Sequence, residues 1–137
     1  MNPIFVSAKS DEWATPKYIY SQVEKLKMFD PCPLGGSVDG LAIEWGQNCF
    51  VNPPYSDLKK WVDKSIEEAK KGKSILLLIP SRTDTKAFRK LYLYGCLFVF
   101  VQGRLKFNDL KCAPFPSMFV KLCGGVIQKF KLSKTSK

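Results

Sequence analysis

The stretch Cys49-Phe50-Val51-Asn52-Pro53-Pro54-Tyr55-Ser56-Asp57 joins a short apolar run, two consecutive prolines and a polar pair. Proline has no amide N–H to give to a sheet, so the predicted strand ends before Pro53. Ser56 and Asp57 are residue types that cap helices, and the apolar positions after them recur with helical spacing to about Lys71. The order strand, tight loop, helix is typical of an α/β fold.

The same order repeats further along the chain. Four consecutive aliphatic residues lie in Ser74–Ile79 and predict a strand buried on both faces, while Thr83–Tyr94 has the pattern of the next helix. The other predicted elements are a helix over Pro16–Lys27, short strands at Met28–Asp30 and Leu41–Trp45, a buried strand over Cys96–Val101, a turn and extended segment over Gly103–Phe107, and a terminal antiparallel pair of Ser117–Leu122 with Val126–Phe130. Alternation with short connections favours a mostly parallel sheet with antiparallel edge strands.

Length and cysteine content indicate one domain in a reducing compartment. A chain of 137 residues fits a single domain over residues 1–137, with Lys131–Lys137 as a frayed tail. The five cysteines form no C-x-x-C pair, and an odd number leaves one thiol over in any set of disulfides. No signal-peptide pattern and no apolar run of ~20 residues is present, so we expect a cytoplasmic protein without membrane contact.

The balance of charge and the absence of histidine limit the function further. The chain has 22 Lys and Arg residues against 12 acidic ones, a net charge of +10, which favours a nucleic-acid partner over the alternative of a merely solvated basic surface. With no histidine, Ser-His and Cys-His nucleophiles and His-metal nucleases are excluded. We expect no metal.

The Asn-Pro-Pro-Tyr loop offers acceptors for an amino group. In open α/β sheets, ligands bind beyond the carboxyl ends of the strands, where both Asp30 and Asn52 are predicted to lie. The Asn52 side-chain oxygen and the Pro53 carbonyl can accept two N–H bonds, and Tyr55 offers a flat face to a base. The alternative is a turn that only terminates the strand.

Six blocks in one order carry a resemblance to a known family: Asp11–Pro16, Phe29–Cys32, Asn52–Ser56, Pro80–Thr85, Gly103–Phe107 and Ala113–Ser117. They resemble the phage-borne DNA adenine methyltransferases of the Dam type over about residues 11–122. The resemblance implies a reduced Rossmann-like class I methyltransferase fold that uses S-adenosylmethionine. It also implies methyl transfer to the exocyclic amino group of adenine in double-stranded DNA, after base flipping, in the host cytoplasm if the chain is phage-encoded. The catalytic loop would be formed by Asn52, Pro53, Pro54 and Tyr55.

The resemblance also implies a donor pocket and a DNA-binding surface. The pocket would be lined by Trp13, Thr15, Pro16, Asp30, Pro31 and Cys32. Trp13 has the alternative role of anchoring the first helix, and Asp30 that of capping a loop. Phosphate contacts are expected from Arg82, Lys86, Arg104 and Lys106. Phe107 or Phe115 would be a second aromatic wall for the extruded base, although aromatic residues near strand ends are more often core.

Two departures from the family pattern leave alternatives open. Only 21 residues separate Asp30 from Asn52, so the acid that holds the cofactor ribose is unassigned between Asp39 and Glu44. The length leaves no room for a target-recognition domain, so we expect DNA specificity to be carried by loops or shared across a homodimer. The biological role, restriction-modification or regulation, stays open. The competing functions are methyl transfer to RNA adenine or to a protein amide, and a non-catalytic DNA-binding or anti-restriction module.

Overall fold

The computed structural model of the protein describes residues 13–36, 38–107 and 111–123. Within these ranges the α-helices are α1 (Lys17–Lys25), α2 (Leu58–Lys70) and α3 (Lys86–Tyr94). The strands are β1 (Asn48–Val51), β2 (Ser74–Pro80), β3 (Leu97–Phe100), β4 (Lys106–Phe107), β5 (Lys111–Cys112) and β6 (Ser117–Leu122), and a 3₁₀ turn at Tyr55–Asp57 joins β1 to α2. No helix in the described part is both long and apolar enough to cross a membrane.

Four strands form a mixed sheet in the order β1-β2-β6-β3. β1 and β2 are parallel, in register from Asn48 opposite Ser74 to Val51 opposite Leu77. β6 is antiparallel to both β2 and β3, so β1, β2 and β3 all run in the same direction. The carboxyl ends of these three strands therefore share one edge of the sheet, which we call the carboxyl edge. β4 and β5 form a separate two-stranded sheet.

The sheet separates two apolar cores. Alternation along β2 directs Ile75, Leu77 and Ile79 to one face, where they pack against α2 and α3. Leu78 and Phe50 of β1 face the other side, where α1 and the segment around β4 and β5 cover them. β2 thus lies between strands on both sides and is covered on both faces, which confirms the prediction of a strand buried on both faces.

The prediction of a mostly parallel sheet with antiparallel edge strands holds only in part. Among the described residues, one strand pair of this sheet is parallel and two are antiparallel, and the edge strand β3 is antiparallel to its neighbour β6. The predicted strand Ser117–Leu122 is not itself at the edge. β6 lies inside the sheet, because β2 and β3 occupy its two sides. The predicted buried strand Cys96–Val101 is instead the edge strand β3, whose Val99 and Phe100 are 50% and 56% exposed. Phe98 of this strand is partly covered, because its ring packs against Phe88 of α3. The apolar strand is therefore not fully exposed although it stands at the edge of the sheet. Val126–Phe130 and Lys131–Lys137 lie outside the described residues.

The predicted strand at Leu41–Trp45 is also absent. Turns replace it, because the Asp39 side chain accepts a hydrogen bond from the Leu41 amide (3.0 Å) and its carbonyl accepts one from Ala42 (3.0 Å). The neighbouring short strand is reduced to one bridge between Phe29 and Cys49, parallel to β1. This bridge brings Asp30 to the carboxyl edge beside β1.

A buried carboxylate fixes the end of α2. Glu68 is fully buried, and its oxygens accept hydrogen bonds from Lys73, from Lys71 (3.2 Å) and from the Trp45 amide (3.3 Å), with Lys64 3.1 Å away. Burial alone would raise the pKa of Glu68, but the bonds from Lys73, Lys64, the Trp45 amide and Lys71 outweigh it and lower the pKa to about 2. The cluster ties the Trp45 segment to α2.

Replacing this carboxylate should destabilise the fold in a pH-dependent way. Glu68→Gln leaves Lys73 without its buried partner, and we expect the free energy of unfolding to fall by roughly 3 kcal/mol at pH 7. Because the pKa is lowered in the folded chain, this contribution is complete above the pKa of an ordinary glutamate and is lost as pH falls toward about 2. The difference from wild type, measured by urea unfolding, should therefore shrink as the pH is lowered from about 5 to about 3. The exposed neighbour Glu67→Gln is the matched control, and equal effects of the two substitutions would contradict the assignment.

Candidate active site

A cavity of about 440 Å³ opens at the carboxyl edge, between the chain before α1, the segment after Phe29 and the loop after β1. Among its walls are five of the six residues expected to hold a donor, together with two of the loop: Trp13, Thr15, Asp30, Pro31, Cys32, Asn52 and Pro54. Pro16 is buried at the start of α1 and is not among the lining residues. The structure thus brings together, at one cavity, segments that are far apart in the sequence.

Asn52 is held on three of its four hydrogen-bonding positions. Its side-chain amide donates one bond to the Trp13 carbonyl oxygen and another to Thr15 Oγ1 (3.0 Å), while its Oδ1 accepts one from the Tyr55 hydroxyl (3.2 Å). An asparagine side chain has two donor hydrogens and two acceptor lone pairs. Among the described residues, these contacts leave one acceptor position on Oδ1 unfilled, and Asn52 is one of the residues that line the cavity.

The two prolines make the loop after β1 stiff. Pro53 is buried, Pro54 lines the cavity, and the Pro54 carbonyl accepts a hydrogen bond from the Asp57 amide (3.1 Å) to start the 3₁₀ turn. Neither proline has an N–H, so the backbone here offers only acceptors. The loop is therefore preorganised before any ligand binds.

Asp30 forms a polar wall of the cavity. Its Oδ2 accepts a bond from the Tyr20 hydroxyl (2.9 Å), and its Oδ1 accepts one from the Cys32 amide (2.9 Å), which closes a tight turn. Burial raises the pKa of Asp30, and the bonds from Cys32 and Tyr20 offset only part of that rise. Burial, and then the charge of Asp30, also raise the pKa of Tyr20 to about 12. The carboxylate is thus both a loop cap and a wall group of the cavity.

Four aromatic rings pack beside the cavity. Trp13 makes edge contacts with Phe107 and Phe115, at centroid distances of 5.7 and 5.5 Å, and Tyr55 makes one with Phe115 at 5.3 Å. Phe107 is 2% exposed and Phe115 8% exposed. Tyr55 is only partly buried, and its burial raises the pKa of the phenol. The structure therefore places Phe107, expected at a nucleic-acid surface, inside this aromatic cluster.

Several residues of the cavity were not anticipated from the sequence, and three of them have an identifiable role in its structure. Tyr20 holds Asp30, Trp61 of α2 forms part of the cavity wall, and Gly40 lets the chain pass closely over Trp61. A Cβ on Gly40 would lie 2.1 Å from the Pro31 carbonyl oxygen and 2.7 Å from the Trp61 ring. The helical spacing of Tyr20 with Ile19 and Val23 was the only available signal, and it indicated burial rather than a role.

The basic residues expected at DNA are exposed. Arg82 and Lys86 lie in or next to the loop after β2, which Thr85 fixes by accepting a bond from the Phe88 amide (3.1 Å) and donating one to the Arg82 carbonyl (3.0 Å). Lys106 is exposed on β4, and the exposed Arg104 points a nitrogen at the Ala113 carbonyl (3.5 Å). The loop with Arg82 leaves the same sheet edge as the loop with Asn52.

The two candidates for the ribose acid lie in different places. Asp39 lines the cavity, whereas Glu44 pairs with Lys73 at 3.3 Å in the cluster around Glu68. Only Asp39 is therefore positioned to contact a ligand in this cavity. Over the described ranges, no group of three or more His, Cys, Asp or Glu side chains is arranged to hold a metal ion.

Comparison with known proteins adds a family. The model of a family described as DNA N-6-adenine-methyltransferase (Dam) matches residues 34–116, which is more than half of the chain. No curated protein and no solved structure matches the chain. The matched segment contains the loop Asn52–Tyr55 and the basic loop with Arg82, while Thr15 and Asp30 precede it. The chain therefore belongs to the DNA N-6-adenine-methyltransferase (Dam) family.

Proposed function

We propose that the protein uses S-adenosylmethionine to methylate the exocyclic amino nitrogen of adenine in DNA, with Asn52 at the reacting centre. The observation that carries this proposal is the vacant acceptor position on Oδ1 of Asn52, a residue that lines the cavity. An open hydrogen-bond acceptor suits a group that carries donor hydrogens, such as an amino group. Family membership indicates which molecule receives the methyl group: adenine in DNA.

Asn52 and Pro53 would prepare the amino nitrogen for reaction. Its lone pair is delocalised into the purine ring and is a weak nucleophile. Hydrogen bonds from its two N–H groups to Asn52 Oδ1 and to the Pro53 carbonyl would draw the lone pair out of the ring plane. In the net reaction an N–C bond would form as the S–CH₃ bond of the donor breaks, the sulfur would leave as a neutral thioether with the electron pair of that bond, and the amino nitrogen would lose one proton to solvent. The stiff loop would hold both hydrogen-bond acceptors in place throughout.

The size and the lining of the cavity support binding of the expected donor. At about 440 Å³ it lies within the range of roughly 300–1,000 Å³ that is usual for small-molecule sites. Asp30 and Asp39 offer carboxylates for hydroxyl groups or positive charge, and Trp13 and Trp61 offer aromatic surface. S-adenosylmethionine, when bound, supplies a methyl group on a positively charged sulfur. Trp13 would hold it next to Asn52, and Thr15 lines the same cavity.

Tyr55 would contact the extruded base. Taking a base out of a duplex costs a few kcal/mol of stacking, and an aromatic ring against its face returns about 1–3 kcal/mol. Tyr55 is the last residue of the Asn-Pro-Pro-Tyr loop. Of the two rings in contact, Tyr55 is less buried than Phe115. Phe115, which packs against Phe107 in turn, would then support Tyr55 from behind rather than meet the base itself.

The central test is methyl transfer itself. Purified protein incubated with labelled S-adenosylmethionine should methylate adenine in duplex DNA, and Asn52→Ala should reduce the rate at least about 100-fold because a developing charge loses its acceptor. DNA affinity should stay within about twofold, since Asn52 carries no charge. Mass spectrometry of digested DNA identifies the methylated base.

Parallel reactions with RNA and with protein decide between the competing functions. Transfer to RNA or protein alone would overturn the choice of DNA. Absence of donor binding in calorimetry would favour a non-catalytic DNA-binding module. Equal turnover by wild type and Asn52→Ala would remove Asn52 from the mechanism.

Donor binding should depend on the charge of Asp30. Because burial raises the pKa of Asp30 above the ordinary value of 3.8, its carboxylate takes up a proton at a higher pH than an exposed aspartate does. A donor held by the charged form binds fully above that pKa and loses affinity as pH falls through it. Calorimetric titration should show this loss in wild type, and Asp30→Asn should bind at least about tenfold more weakly at pH 7. Glu44→Gln removes a carboxylate outside the cavity and should leave the affinity unchanged; an equal loss in both variants would refute the role of Asp30.

The basic loop after β2 should bind phosphate. The double variant Arg82→Gln/Lys86→Gln should weaken DNA binding and reduce the slope of log K against log salt by about 2, as expected for two phosphate contacts at about 0.9 each. Lys25→Gln/Lys70→Gln removes the same charge from exposed positions near the ends of α1 and α2 and is the matched control. Fluorescence anisotropy at several salt concentrations gives both slopes. Identical slopes in the two variants would mean that only net charge matters.

A further inference from the structure

The orientation of the Asn52 side chain is set by the segment before α1. Its amide nitrogen donates to the Trp13 carbonyl oxygen and to Thr15 Oγ1 at 3.0 Å. A backbone carbonyl can only accept a hydrogen bond, so the atom of Asn52 that faces Trp13 must be the NH₂ group. Turning the amide over would set Oδ1 against the Trp13 oxygen and leave two acceptors face to face. Oδ1 is thereby directed to the Tyr55 side, where one acceptor position is vacant.

We propose that Thr15 is a positioning residue which, together with the Trp13 carbonyl, holds the Asn52 amide so that its oxygen and not its nitrogen meets the substrate amino group. This inference rests on the proposed methyl transfer and adds a role to a residue expected only to line the donor pocket. Thr15 acts through Asn52. Its hydroxyl accepts the second amide hydrogen, so that rotation of the whole amide group would break two hydrogen bonds rather than one.

The same geometry specifies asparagine rather than aspartate at position 52. A carboxylate accepts substrate N–H bonds as well as an amide does, but it has no hydrogen to give to the Trp13 carbonyl. An aspartate at this position would set a negative oxygen against the carbonyl oxygen unless it took up a proton. Its protonated form can donate to Trp13 and still present an oxygen to the substrate. The Asn52→Asp variant should therefore work only when that carboxyl is neutral.

The hydroxyl of Thr15 is tested by two substitutions of similar size. Thr15→Val keeps the shape and removes the acceptor, whereas Thr15→Ser keeps the hydroxyl. We expect kcat to fall about tenfold in Thr15→Val, the factor expected for one lost hydrogen bond, with the KM for the donor within about twofold, and to be close to wild type in Thr15→Ser. A loss confined to KM, or an equal loss in the serine variant, would show that Thr15 acts only by shape or donor contact.

Asn52→Asp supplies a pH profile that a merely structural role would not produce. Relative to wild type at each pH, its turnover should rise as pH is lowered from about 8 to about 5.5, because the neutral carboxyl restores the bond to Trp13. Dividing by wild type removes the titration of the other groups around the cavity and loop: Lys17, Tyr20, Asp30, Asp39 and Tyr55. A variant as active as wild type at every pH, or one whose relative turnover does not change with pH, would overturn the inference.

A readout without catalysis separates this inference from the proposed function. In ¹⁵N spectra of the wild-type protein, the two side-chain amide hydrogens of Asn52 should exchange slowly with solvent, and Thr15→Val should speed the exchange while Thr15→Ser does not. If wild type transfers no methyl group but shows this protection, the function fails and the positioning holds. Fast exchange in wild type overturns the positioning whatever the activity.

Discussion

Parallel pairing of β1 with β2 is the constraint on which the site depends. Because both strands run in one direction, the loops that leave Val51 and Pro80 emerge at the same edge, and β6 brings β3 into the same orientation. The loop with the acceptors and the loop with the basic residues therefore lie at one edge although β2 and α2 separate them in the chain. A slip of one residue would turn every side chain of β1 to the opposite face and would bring Phe50 into the wrong core.

The segment before α1 links three parts of the site. Its Trp13 lines the cavity, packs against Phe107 and Phe115, and gives its carbonyl to the Asn52 amide, while Thr15 completes the hold on Asn52. A ligand that displaces Trp13 would therefore disturb both the aromatic cluster and the acceptor.

The sequence predicted those parts of the fold and site that local patterns determine. Neighbouring residues determine the end of β1 at two prolines, the start of α2 and the aliphatic run of β2. The sequence therefore predicted all three. The place of β6 in the sheet was not predicted, because strand order depends on contacts between distant segments. An apolar strand such as β3 also has the same sequence pattern at the edge of a sheet as in its middle. Asp30 and Asn52 were predicted as site residues because they lie at the ends of predicted strands. Tyr20 and Gly40 could not be predicted in this way, because they act only through tertiary contacts: Tyr20 with Asp30, and Gly40 with Pro31 and Trp61.

An acceptor-only site also selects by exclusion. A base edge that presented a carbonyl to Asn52 Oδ1 would bring two oxygens together without a hydrogen between them, and such an unpaired buried acceptor costs about 1–3 kcal/mol. The fixed amide makes this penalty unavoidable, because rotation to offer the NH₂ group instead would break the bonds to Trp13 and Thr15. Under the proposed function, holding the amide would serve two purposes: it would prepare the nitrogen that reacts, and it would reject bases without an amino group at that position. Choice among amino-bearing bases must then come from the shape of the space beside Tyr55, where a purine and a pyrimidine differ in the area they can stack.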